Sequence, residues 1–174
     1  MDPRSLPDWV TQPTKVGEQE IREIYALAGL AIYMAQVLEH GVCNCLLLLN
    51  VIHVMQAKRR FLNYAHYENY VDTLEEQHFK RTFGSLIKAI KSSGIAVPQR
   101  LDDKLVESLT ARNRLVHRFF RDHATDFVRS EGRAAMAHEL KQMRVLFEET
   151  DQQLDTIAKS LLTVLGVNEY ATTS

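Results

Sequence analysis

Cysteine, proline, long apolar runs and net charge are all scarce in this sequence, and each scarcity excludes something. The two cysteines, Cys43 and Cys45, lie two apart on an expected helix. Their side chains project ~200° apart, so they neither pair nor chelate together, and they read as small core residues of a reducing compartment. Three of the four prolines (Pro3, Pro7, Pro13) fall in residues 1–15, which read as an extended lead-in pinned by Trp9 and Val10. The net charge is −1, so bulk charge announces no nucleic-acid binder and only a local cluster could. The apolar run from Gly41 to Met55 is interrupted by Asn44, Asn50 and His53. It is too short and too polar to span a bilayer, and Met1-Asp2-Pro3-Arg4 starts no signal-peptide core. The expectation is cytoplasmic residence with no membrane partner.

Catalytic signatures are equally sparse. There is no phosphate-binding glycine loop, no dinucleotide fingerprint, no H-E-x-x-H and no nucleophile elbow. His40 and Cys43 share a helix face, but two ligands without a third make a poor metal site, and no paired Glu-x-x-His pattern is present. The expected chemistry uses no metal and no cofactor.

What is present is helical period. Ile21, Ile24, Ala28, Ala31, Ala35, Leu38, Val42, Cys45, Leu49 and Ile52 recur at steps of three and four from about Glu18 onward. Small residues (Ala26, Ala28, Gly29, Ala31) line its middle and invite close approach by a neighbour. Residues 56–70 break the pattern: Lys58-Arg59-Arg60 precede Phe61, Tyr64, His66, Tyr67 and Tyr70. Cations beside rings suit single-stranded nucleic acid; the more usual reading is helix-terminal basic residues with aromatics packing a connection against the body of the fold.

A second helix is expected over Asp72–Ser93, capped by Asp72 or Thr73, with Phe79, Phe83, Leu86, Ile87 and Ile90 buried and Gly94 as its stop. Pro98 opens a third over roughly 98–121. The last begins near Ser130 and keeps its seam (Met136, Leu140, Met143, Phe147, Thr150, Leu154, Ile157, Leu161, Val164) for about four heptads before Gly166. No segment alternates with period two. The fold class expected is all-α: an antiparallel up-and-down four-helix bundle over 16–166, with long first and last helices as its central pair and a polar tail at 167–174.

One stretch departs from the pattern. In the third helix the apolar stripe runs Leu101, Leu105, Leu109, Val116, Phe119, Phe120, and at ~100° per residue Arg112 falls near its middle. A buried guanidinium needs a partner: a carboxylate such as Glu39, a second chain or an anionic ligand. Asn113 and His117 lie four apart on one edge of the stripe, and Arg114, Arg118 and Arg121 lie on the outer side. From 112 to 133, six arginines face only Asp122, Asp126 and Glu131, a cationic region in a neutral protein. A histidine can move a proton to or from a ribose oxygen. An arginine can stabilise a phosphoryl-transfer transition state, and Asn113 can orient either group. That set suffices for metal-independent RNA cleavage by 2′-hydroxyl attack. A lone helical arginine and histidine more usually form a salt-bridged or hydrogen-bonded surface pair.

Arg112-Asn113-Arg114-Leu115-Val116-His117 resembles the R-x(4–6)-H signature of the HEPN superfamily, in which the residue after the arginine is typically polar. The resemblance implies a helical bundle that forms a homodimer, with Arg112 and His117 of both chains in a shared cleft. It implies a metal-independent endoribonuclease of the kind found among toxin–antitoxin and phage-defence effectors. Arg112, His117 and Asn113 would be catalytic, and Arg114, Arg118 and Arg121 would bind RNA. The partners implied are RNA, a second copy and a cognate antitoxin. The nearest group, HepT-like, continues R-x4-H-x-Tyr. Here that position is Phe119, so the hydroxyl that a nucleotidyltransferase could modify is missing. The other reading of the same resemblance is a non-catalytic module that binds RNA, a nucleotide or a protein.

Overall fold

A computed structural model describes residues 16–57 and 64–166. The expected lead-in, the Lys58–Phe61 cluster and the tail lie outside them. The described residues form helices only: α1 (Val16–Gln56), α2 (Tyr64–Phe79), α3 (Phe83–Ser92), α4 (Gln99–His117), α5 (Phe119–Asp122) and α6 (Ser130–Val164). The all-α class therefore stands.

The long first and last helices pack together more extensively than any other pair. The α1 seam is buried as its period demands, with Ile24, Ala31, Leu38, Val42 and Cys45 all at 1% exposure or less. On α6, Met136, Leu140, Phe147, Thr150 and Leu154 are equally buried. Each large apolar side chain so placed contributes about 1.5–3 kcal/mol relative to exposure. Ala28 and Ala31 are buried, whereas Ala26 and Gly29 face outward. By length and composition α1 could cross a membrane. A core helix passes the same measure, and here its apolar seam lies against other helices.

The arrangement differs from four antiparallel helices. The single helix expected over Asp72–Ser93 is two. Lys80 and Arg81 turn the chain, and Thr82 caps α3 with extended backbone (φ −74°, ψ 151°), its hydroxyl accepting from Ser85 N at 3.3 Å. Asp72 and Thr73 are interior to α2, where the Thr73 hydroxyl donates to Asn69 O. The break separates two phenylalanines that periodicity had placed on one face: Phe83 is buried and Phe79 is 47% exposed. It also adds a reversal. Glu20 meets Arg133, Gly41 meets Asp151 and Cys45 meets Leu154, so α1 and α6 run parallel. Lys104 meets Glu149 and Arg114 meets Glu139, so α4 runs against α6 and hence against α1.

The third expected helix is also interrupted. Arg118 (φ −135°, ψ −24°) ends α4 and leads into α5. The buried seam is then Leu101, Leu105, Ser108, Leu115 and Phe119, one step out of phase with the expected stripe. Val116 and Phe120 lie outside it at 46% and 40% exposure. The spacing of four, three, four, three, four still places Arg112 in the seam, between Ser108 and Leu115.

Candidate functional site

Arg112 is half-buried and meets a carboxylate of α1: its Nε donates to Glu39 Oε1 at 2.8 Å. Its Nη1 donates to Asn113 Oδ1 at 3.4 Å. Side-chain exposures of 29% and 20% leave the Arg112–Glu39 pair in reach of solvent. His117 is the last residue of α4, exposed, and makes no hydrogen bond or ion pair among the described residues. Five residues of helix turn it ~140° from Arg112. The two therefore do not converge within one chain; a reacting group held by both would need a second surface.

Beside them lies an apolar face. Tyr25, Ile32 and Tyr33 of α1 and Val116 and Phe120 of α4–α5 are all exposed by 36% or more. Tyr25 joins the two helices through ring contacts to Phe120 (centroids 5.4 Å) and Phe127 (5.9 Å).

The arginines expected on the outer side have unequal fates. Arg114 reaches toward α6 while staying 41% exposed. Its Nη1 pairs with Glu139 of α6, its Nη2 reaches the other Glu139 oxygen at 3.4 Å, and it approaches His123 Nε2 at 3.3 Å. Arg118 and Arg121 stay exposed and, among the described residues, reach only Asp122, at 3.8 and 3.7 Å. Asp122 thus draws three arginines, since Arg114 also lies 3.9 Å from it. The cationic region seen in the sequence is largely neutralised inside the chain.

Sequence reasoning missed the centre of that cluster. His123 is mostly buried, with Nδ1 2.9 Å from Asp126 and Nε2 2.9 Å from Glu139. It follows the motif by six residues, but its partner Glu139 comes from α6, and only the α4–α6 packing brings them together. The connection carrying His123 and Asp126 is pressed onto the first turn of α6. A Cβ at Gly132 would overlap the Asp126 carbonyl oxygen and come within 2.6 Å of its Cα, so only glycine permits this approach.

Both cysteines are buried and free, and burial pushes the Cys43 thiol up to about 11 and Cys45 to about 12. Neither supplies a thiolate nucleophile at neutral pH. Among the described residues, no three His, Cys, Asp or Glu side chains gather to hold a metal ion.

Comparison with known proteins finds no matching family model, no matching curated protein and no matching solved structure.

Proposed function

We propose that this chain is a HEPN-type, metal-independent endoribonuclease that works as a homodimer in the cytoplasm, of the kind that acts as a toxin or defence effector held by an antitoxin. The observation that carries the reading is the character of α4 at its C-terminal end. A seam position holds a solvent-reachable arginine, and a histidine whose side chain has no partner among the described residues stands five residues further on, beside an exposed apolar face. A second copy seated on that face would give each site two Arg112–His117 sets about a twofold axis, the two proton-transfer roles falling to the two histidines. His117 then moves the proton of the attacking 2′-oxygen or the leaving oxygen, Arg112 stabilises the phosphate, Asn113 orients the guanidinium, and Arg118 and Arg121 track the RNA backbone. Arg114, held by Glu139, positions the end of α4. Glu39 must yield Arg112, wholly or in part, when phosphate arrives.

The test is cleavage of single-stranded RNA in EDTA, leaving a cyclic phosphate end. His117→Ala is expected to lose roughly 10²–10⁴ in rate. Wild-type cleavage by His117→Ala would sink the assignment.

One observation favours a second reading, a non-catalytic helical module. Arg112 already has an internal carboxylate partner, as a purely structural arginine would. If Arg112 merely pairs Glu39 in a helical scaffold, Arg112→Ala and His117→Ala change no RNA binding and no preparation cleaves RNA; if the cleft binds without catalysis, binding weakens in the variants while no preparation cleaves RNA.

A further inference from the structure

A cleft of about 300 Å³ opens where α1, the end of α2 and the start of α3 meet. That is the small end of the range for pockets that hold a ligand, roughly 300–1,000 Å³. Glu39 forms part of its wall, so it adjoins Arg112 through the ion pair. Its other working groups are Gln36, His40, His78, Phe79 and Arg81.

Three features of the lining ask for a ligand. The first is an unmet donor. His78 is 6% exposed, and its Nδ1 has no hydrogen-bond partner. Its Nε2 faces the Asn50 amide nitrogen at 3.4 Å, and Asn50 Nδ2 also donates to Leu46 O. An amide N–H₂ can only donate, so Nε2 accepts and the ring proton sits on Nδ1. Burial, helped by Arg81, lowers the His78 pKa and keeps the ring neutral in that tautomer. The second is an exposed ring. Phe79 is 47% exposed at the cleft and is held from one side by His40, with centroids 4.8 Å apart. The third is charge. Arg81 lines the cleft, and its guanidinium has no ion-pair partner among the described residues.

We infer that this cleft, with Phe79 as stacking platform and Arg81 as phosphate contact, holds one unpaired nucleotide, and that the His78 ring, whose Nδ1–H is enclosed in the wall, turns to donate to the base on binding. The ring face accepts any base, as stacking does. The guanidinium suits a phosphate oxygen. Glu39 gives only Oε1 to Arg112, and with the Gln36 amide it offers hydrogen bonds to a base edge. Two sources carry this chemistry: a nucleotide of single-stranded RNA next to the scissile phosphate, or a free nucleoside monophosphate. The RNA source rests on the function proposed above and extends it, making the cleft the subsite that chooses which nucleotide lies beside Arg112.

The test uses full-length His117→Ala protein, so that RNA is not consumed. A fluorescein-labelled single-stranded oligonucleotide is titrated, with AMP and inorganic phosphate as competitors, and the histidine rings are followed by NMR. Phe79→Ala and Arg81→Ala remove exposed side chains and leave the core intact. Each is expected to weaken binding about tenfold, within the range of base–aromatic stacking. The His78 ring resonance shifts on binding in the parent protein. AMP competing as well as an oligonucleotide identifies the free nucleotide as the ligand, and AMP competing poorly identifies RNA. Phosphate competing as well as AMP overturns the inference, as does unchanged binding in both variants, or no binding by the parent. The two readings fail separately. Cleavage by the wild type with no effect of Phe79→Ala on KM removes the cleft alone, while Phe79-dependent binding without any cleavage removes the ribonuclease alone.

Discussion

Two arginines, two residues apart on one helix, end in opposite situations. Arg112 turns toward α1 and finds one carboxylate, Glu39, at the edge of an open cleft. Arg114 turns toward α6 and enters a cluster of Asp122, His123, Asp126 and Glu139, in which His123 is met on both ring nitrogens. The first is a single, solvent-reachable pair next to groups that lack partners. The second is met by several partners, though 41% exposed itself, and ties the α5–α6 connection to the body. A cation with one replaceable partner can be lent to a ligand. A cation in a closed network is a clamp, and removing any member leaves the others unmet.

The contrast can be broken most directly at Gly132. Adding a methyl group drives into the Asp126 backbone, which cannot swing aside as a side chain could. Gly132→Ala should cost about 2–3 kcal/mol, read as a lower thermal midpoint. Next is Glu139→Gln, which leaves Arg114 and His123 without their shared carboxylate. Because Arg114 is 41% exposed, the loss is screened to about 1–2 kcal/mol by denaturant titration. A loss below that of Arg112→Ala would show that the cluster is no clamp.

Arg112→Ala itself should cost no more than about 1 kcal/mol of stability while removing most RNA cleavage. Equal losses of fold and activity would place Arg112 with Arg114 as a structural residue. His78 gives a pH signature. Its folded pKa lies below the ordinary 6.5, so the unfolded chain binds the extra proton first. Stability is therefore expected to fall as pH drops through 6.5, and His78→Gln should flatten that slope.

The smallest effect is at Asp151, half-buried against Gly41 and raised in pKa by burial and then by Asp155. Its charged form is the disfavoured one in the fold. Asp151→Asn should thus raise the thermal midpoint slightly at neutral pH, and the gain should vanish below the ordinary carboxylate value of 3.8, where both states are protonated.

Much of the fold was legible in the residues. The seam of α1, and that of α6 as far as Leu154, follow period alone, whereas Val164 at the end of the expected α6 seam is 66% exposed; Gly94 and Gly166 both take the positive φ that ends a helix. The break at Lys80–Thr82 was hidden because Phe79, Phe83, Leu86, Ile87 and Ile90 keep an unbroken helical spacing across it. A threonine cap inside a periodic run carries little signal until the two sides bury different faces. The break at Arg118 was hidden in the same way, by Val116, Phe119 and Phe120. For the candidate site, the expectation of an arginine in a buried seam met by a carboxylate, with Glu39 named among its partners, matches the geometry. The His123 network was invisible, since it joins residues from three elements.

The sequence by itself determined the helical class, the seams and the presence of a cation at a seam position of α4, because these follow from the period of apolar side chains and the cost of burying charge. Only the tertiary structure decided that the two long helices run parallel, because that rests on counting every reversal of the chain. It also decided which arginine joins a network of several partners and which meets a single carboxylate, because ion pairs between helices depend on register, and two residues of α4 turn Arg112 and Arg114 ~200° apart.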